Sequence, residues 1–317
     1  MRVSGKSRPQ RPRWQTWLAI AFTAGALLWM GDLVRQAWPT LVETCTRLSL
    51  PWMVVAMIAC LAGTALQGEN FHLLVRDLGG ASLSRSRTYA LQFIAHLVRH
   101  LPGRFWGIAY QIARTRGEIS ASALLIVHTV LAAAAAYFTG WCALTILAFG
   151  KSVSLGLVAA VGGALLLLLS VPLARAAAHI GDRLPTLPGR FGRAQMQLVD
   201  AIARMPVGAA LHFHLIVFVG WLLYLGAWAL FGEAYPGLDA WQGLRIVAYY
   251  SLAWIVGFLA VFTPSGLGVR EVVFLGLASE FPADVLATTA ILGRLWLLLN
   301  DLLLGALALM MRLHDGD

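Results

Sequence analysis

A chain of 317 residues, 59% hydrophobic and 12% charged, with a mean hydropathy of +0.73, is not a water-soluble globular domain. Soluble domains carry about 25% charged residues, so about half of the usual solvent-facing charge is missing. The formal charge of +9 sits on arginines scattered between apolar runs, as positive-inside topology demands and a nucleic-acid-binding surface does not. One polytopic membrane domain over 14–311 follows, with a basic segment at 1–13 and a short tail at 312–317. The three cysteines, Cys45, Cys60 and Cys142, are widely spaced and odd in number, which suits neither a disulfide framework nor a metal motif.

The N-terminal segment carries Arg2, Lys6, Arg8, Arg11 and Arg13 and runs into an apolar stretch from Trp14 to Gly31. That stretch lacks an A-x-A cleavage site and is long for a signal peptide, which predicts an uncleaved first span over about 14–33. Further apolar segments lie at 51–75, 88–101, 119–149, 152–174, 207–231, 244–263 and 284–311. Segment 88–101 would be about 21 Å long as a helix, too short for a hydrocarbon core of about 30 Å. It ends at Leu101-Pro102-Gly103, so a re-entrant hairpin is expected: a half-helix in, a break, and a half-helix back over 102–117.

Segment 244–263 leads in the same way to Thr263-Pro264-Ser265-Gly266-Leu267-Gly268 and a stretch ending at Glu280. A shift of 162 residues places Pro102 on Pro264, Glu118 on Glu280 and Leu124 on Leu286. The expected fold class is all-α integral membrane: about six full transmembrane helices plus two re-entrant Pro/Gly hairpins, in two inverted repeats at about 14–149 and 152–311. The alternative is eight full spans, because 244–263 is also long enough to cross. With the N-terminus inside, Arg76, Arg85, Arg87, Arg114, Arg116, the arginines of 175–206 and Arg312 all fall inside. Three full crossings per half then give the halves opposite orientation, as in many secondary transporters. The expected location is the cytoplasmic (inner) membrane, multi-pass, with a cytoplasmic N-terminus.

Candidate chemistry gathers at the two breaks. Arg99, Pro102, Gly103 and Arg104, with His96 and His100, surround the first tip. Arginine at the bilayer centre costs about 2.5–3.5 kcal/mol, so two of them call for water, a carboxylate or an anionic ligand. Free amides of the returning half-helix add partial positive charge, and guanidinium forks suit phosphate. The alternative is that Arg99 and Arg104 snorkel to an interface and fix topology. The second tip offers Pro264, Ser265, Gly266, Gly268 and Arg270, where Arg270 either completes a phosphate site or pairs with Glu271 or Glu280.

Arg294 and Asp301 share one face of the last span, as a clamp or as a gate or coupling site. Glu69, His72 and Arg76 follow i, i+3, i+7 spacing, and Glu69 is placed to carry a proton or to pair with a hairpin arginine. His128, alone inside a span, reads as a satisfied core residue. His96 and His100 have i, i+4 spacing, but neither an HExxH motif nor a third ligand accompanies them, so no metal is expected. Without a P-loop, nucleophile elbow or dinucleotide fingerprint, neither a cofactor nor a catalytic residue is expected.

At Pro102-Gly103-Arg104, and more specifically at Pro264-Ser265-Gly266-Leu267-Gly268-Val269-Arg270-Glu271, the chain resembles the lysylphosphatidylglycerol synthase transmembrane region family. The resemblance covers about 14–310. The family usually reads Gly-Glu just after the first turn, where this chain has Gly107-Ile108, and commonly Glu-Arg in the next span, where it has Val127-His128-Thr129. The resemblance implies a flippase-like protein, or a lipid-linked-intermediate transporter, moving an anionic, aminoacylated or polyprenyl-type lipid across the cytoplasmic membrane. Its implied partners are the lipid substrate and cell-envelope or lipid-biosynthesis proteins, with no nucleic acid. Because the sequence ends six residues after Met311, the synthase domain is expected to be absent and the protein is not expected to aminoacylate lipids. The other readings are a secondary transporter of a small anionic solute and a membrane-embedded lipid-modifying enzyme. For the latter, only His96, His100 and Glu271 stand near the tips as bases or nucleophiles.

Overall fold

Apolar runs without charge form long helices in lipid because the bilayer offers the backbone no other hydrogen-bond partners. The computed structural model describes residues 32, 35, 38–39, 41–98, 106–179, 196, 199–259 and 268–315, without the side chains of 171, 174, 177, 178 and 312–315. Among the described residues there are helices and no strands. We number the helices α1 (Leu50–Asp77), α2 (Arg85–Val98), α3 (Trp106–Arg114), α4 (Ala121–Phe149), α5 (Val153–His179), α6 (Val207–Ala234), α7 (Ala240–Leu259), α8 (Val269–Leu277) and α9 (Ala283–Asp315). Ser120 starts α4 by accepting a hydrogen bond from the Ala123 N–H at 3.1 Å, and Ser152 does the same for Leu155 at the start of α5 at 3.2 Å.

Among the described residues six helices are long and apolar enough to cross a membrane: α1, α4, the Val153–Ser170 part of α5, α6, α7, and α9 as far as Met311. Their outward faces stay apolar. On α5, Val158 is 69% and Leu168 62% exposed, a surface that water would not tolerate and lipid does. The protein is a multi-pass, all-helical membrane protein. Five of the six full spans expected are among these helices, and α7 is added. Helix α7, expected as one arm of a hairpin, has 20 residues and spanning length, while 14–33 lies outside the described residues. So do Arg99, Pro102, Gly103, Arg104, Pro264, Ser265 and Gly266.

Lipid tails are as apolar as leucine, so helices in a bilayer associate through close packing and polar contacts rather than through apolar burial. The most extensive contact joins α1 to α6. A Cβ added to Gly63 would lie 2.9 Å from the Gly220 carbonyl oxygen, so the two backbones touch there. Helix α9 packs on α2, and α4 packs on α7. The short helices fold back on their predecessors, α3 on α2 and α8 on α7, and a Cβ on Gly107 would come 2.9 Å from the Ala95 carbonyl oxygen.

Two arginine–glutamate links brace the helix starts. Arg87 donates to both carboxylate oxygens of Glu118, at 2.7 and 2.5 Å, and Arg245 pairs with Glu280. The Arg87 hydrogen bonds hold the Glu118 carboxyl below the usual carboxylate range. The link is therefore present above the ordinary glutamate pKa and fades as pH falls through the lowered one.

Replacing Gly63 by valine forces the α1–α6 crossing apart and costs about 1–3 kcal/mol. Fluorescence-detected size-exclusion thermostability measurements on detergent-solubilised protein will show a lower melting temperature. Gly162→Ala, where a Cβ meets nothing within 4 Å, leaves it unchanged.

Candidate functional site

Where α1 and α6 cross, the flanking side chains line a central cavity of ≈ 340 Å³. Its floor and walls come from α1, α2, α4, α6, α7, α8 and α9. Most of the lining is apolar, with Leu131, Ile216, Val217, Trp221, Trp254 and Phe258 among the larger groups. A few polar side chains converge on it: Asn70, Thr139, Tyr250 and Arg270, with Gln92, His96 and His128. An apolar pocket of this size with a small convergent polar set is the usual form of a small-molecule or headgroup site.

Three polar atoms of the lining, Asn70 Oδ1, Thr139 Oγ1 and the Tyr250 hydroxyl, have no hydrogen-bond partner among the described residues. Each belongs to a side chain that is buried from the outside. Leaving such a group unpaired costs about 1–3 kcal/mol.

The charged part of the site grows from the start of α8. Gly268 has φ 82°, a left-handed conformation open to glycine, and its N–H donates to Glu271 Oε2 at 2.9 Å. The glutamate thereby closes the helix start on itself. Its other oxygen, Oε1, accepts from Arg294 Nε at 2.9 Å and from the same guanidinium's terminal nitrogen. Arg270 Nε reaches that oxygen only at 3.4 Å. Glu271, 1% exposed, thus serves two guanidinium groups and spends most of its capacity on Arg294. Arg270, 8% exposed, lies with its guanidinium carbon 4.7 Å from the Tyr250 ring centroid and borders the cavity. Aromatic contact offsets part of a cation's burial but leaves its donors unfilled.

Several expected residues meet other partners. Arg294 and Asp301 share a face of α9 as expected, but they do not pair: Arg294 goes to Glu271, and Asp301, 1% exposed, lies 3.8 Å from His96 Nδ1. Glu280 is taken by Arg245, which leaves Glu271 as the carboxylate beside Arg270. Glu69 accepts from the Tyr89 hydroxyl at 2.5 Å and from Arg85 at 3.3 Å, joining α1 to α2. His128 is hydrogen-bonded within the core, to Gln111, and also faces the cavity. Asn70, expected beside Glu69 with Gln67 as part of a proton-carrying or pairing group, lines the cavity together with Gln67, whereas sequence reasoning passed over Tyr250, Gln92 and Gln111. For Gln111 a signal existed: an amide in a nine-residue amphipathic stretch, buried completely in the fold.

Glu271→Gln removes the carboxylate on which both guanidiniums and the Gly268 N–H depend. Breaking a buried pair in this way costs about 3–5 kcal/mol. The thermostability assay will show that loss, and Arg294→Met in the same background will restore part of it by removing the orphaned charge. No protein-family model matches this chain, nor does any curated protein or solved structure.

Proposed function

We propose that this protein is a membrane transporter of the flippase type that moves a lipid with an anionic, phosphate-bearing headgroup, holding the headgroup in the central cavity beside Arg270. The carrying observation is Arg270 itself: a buried cation on the cavity wall whose neighbouring carboxylate is largely consumed by another arginine. A charge so placed is stable only with a partner, and a phosphate oxyanion supplies one with charge-assisted hydrogen bonds. Size favours a headgroup over a whole lipid. A cavity of ≈ 340 Å³ holds a phosphate and its polar substituent, while acyl chains stay in the bilayer. Phe258, an apolar side chain 40% exposed, lines the cavity, where it suits contact with such chains.

Architecture supports the same reading. We take the two halves as inverted repeats with re-entrant hairpins at α2–α3 and α7–α8. Helices α1 and α6 both have 28 residues and are offset by 157, which puts Gly63 on Gly220, its own contact partner. A residue that touches its counterpart lies on a two-fold axis. The pairing of α9 with α2 answers that of α4 with α7, and Arg87–Glu118 answers Arg245–Glu280. Inverted repeats that meet at a midplane site permit alternating exposure by rocking one half on the other. The motif from Pro264 to Glu271 adds the proposed kinship with the lysylphosphatidylglycerol synthase transmembrane region. We place the protein in the cytoplasmic membrane with its N-terminus inside, supplied or relieved by lipid-biosynthesis enzymes of the cell envelope.

Proteoliposomes carrying fluorescent NBD-phosphatidylglycerol test this directly, with dithionite bleaching to read movement between leaflets. The wild type accelerates exchange, and Arg270→Gln slows it by about 10- to 100-fold, the worth of one or two charge-assisted hydrogen bonds. Lys151→Gln, at an exposed loop, does not. Undiminished exchange in Arg270→Gln, or none in the wild type, rejects the reading. Uptake of a soluble anion regardless of lipid composition replaces it with solute transport.

A further inference from the structure

Away from the central cavity, α5 packs along α4 but touches α6 only lightly, and a cleft stays open between α5 and α6 among the described residues. Two hollows lie in it, of ≈ 220 and ≈ 100 Å³, with Leu167, Ala210 and His214 shared between their walls. The larger reaches across to Tyr137 and Phe138 of α4, and the smaller runs to Arg175 near the end of α5. The Tyr137 hydroxyl is spent on the Gly163 carbonyl, so Ser170 and His214 are the polar groups left in the larger hollow.

Along α5 the chemistry of this cleft is ordered. Val153–Ser170 is the part of spanning composition, and Arg175 stands five residues, about 7.5 Å, beyond it, at the depth of headgroups. Its Nε donates to the Ala203 carbonyl at 3.2 Å and its Nη2 to the Met205 carbonyl at 3.1 Å. Those carbonyls close the helical residues 199–204, so two nitrogens pin the guanidinium in place. The third, Nη1, has no partner among the described residues, and Asp200 is taken by Arg204. Deeper in the span, Ser170 Oγ is buried beside the larger hollow without a hydrogen-bond partner. Past it the walls are mostly hydrocarbon, from Leu166 and Leu167 to Phe138.

A cation, then a hydroxyl, then hydrocarbon is the order of groups that a phospholipid needs for its phosphodiester, its ester carbonyl and its chain. Nη1 offers the phosphate a charge-assisted hydrogen bond, and the Ser170 hydroxyl can donate to an ester carbonyl, which only accepts. The surroundings supply the ligand, because the rim faces lipid: Leu166 is 57%, Leu168 62% and Leu211 51% exposed. A tail that enters the hollow gains the dispersion contacts that an empty space forfeits. Basic pockets between transmembrane helices take anionic lipid headgroups, and an ammonium headgroup beside an arginine without a carboxylate is repelled. We infer that the cleft between α5 and α6 is a binding site for an anionic phospholipid, with its phosphate on Arg175, its ester on Ser170 and one acyl chain in the hollow against α4. This site is separate from the central cavity and does not depend on that cavity binding an anion. The two are neighbours, since Ala134 of α4 borders both.

A phosphatidylglycerol with a diazirine in one acyl chain is photolysed on purified full-length protein in mild detergent, and the marked residues are mapped by peptide mass spectrometry. Unlabelled phosphatidylglycerol and phosphatidylcholine compete with it. The label is expected on Tyr137, Phe138, Met205 or Phe213, which line the larger hollow. Phosphatidylglycerol displaces it at a concentration about tenfold lower than phosphatidylcholine, the worth of one charge-assisted hydrogen bond. Arg175→Gln removes that tenfold difference. Ala133→Phe fills the hollow from an exposed position and abolishes the label there. It leaves the hydrogen bonds of Arg175 intact, so it decides the matter should Arg175→Gln fail to fold. Arg270→Gln, in the central cavity, changes neither the label nor its competition. Label only on the outward face of α5, at Leu157 or Leu165, overturns the site, as does undiminished label in Ala133→Phe or equal displacement by the two lipids. Label confined to the central cavity overturns the cleft and leaves the headgroup reading standing. Label in the hollow from a protein that moves no lipid in proteoliposomes does the reverse.

Discussion

The contact of two bare backbones at Gly63 and Gly220 is the constraint from which the rest of the molecule follows. In lipid nothing squeezes helices together as water does, so α1 and α6 hold by fitting closely where neither has a side chain. The residues flanking that crossing, Gln67 and Asn70 on α1 and Val217 and Tyr224 on α6, are therefore lining rather than filling. A tight crossing and an open cavity are two sides of one packing choice.

Buried charge is distributed with the same economy. One carboxylate, Glu271, closes the start of α8, neutralises Arg294 and reaches Arg270 only at the limit of a hydrogen bond. Had Glu271 served Arg270 alone, the site would be a closed ion pair with nothing to offer a ligand. Because α9 brings Arg294 to it, Arg270 is held by an aromatic face and retains its donors. The short helix fixes these positions: Arg270 and Glu271 are adjacent in its first turn, and the left-handed Gly268 lets that turn begin abruptly.

Under the proposed repeat, Gln92 and His96 on α2 correspond to Trp254 and Phe258 on α7, and all four line the cavity. One half contributes hydrogen bonds and a titratable ring, the other a stacked aromatic pair with centroids 5.4 Å apart. Such a lopsided chamber suits an amphiphile, whose polar end and apolar end need different walls. Symmetry would give the rocking motion, and departures from it the chemistry.

The membrane class and the positions of α1, α4, α5, α6 and α9 were legible along the chain. Hydropathy is a local property, and a run such as Leu165–Leu169 reads the same in any context. Pairing was not legible. Arg294 and Asp301 do lie on one face of α9, yet seven residues span about 10 Å of helix, enough for that face to meet α8 at one level and α2 at another. His96 and Asp301 are 205 positions apart in the chain, and Gln111 finds both Gln92 and His128 only because α3 folds back between their helices. By itself, then, the sequence determined that this is a helical membrane protein and roughly where it crosses, because lipid selects each span on its own composition. Which buried polar groups share a cavity was decided by the tertiary structure, since that depends on the crossing and register of helices that hydropathy cannot relate to one another.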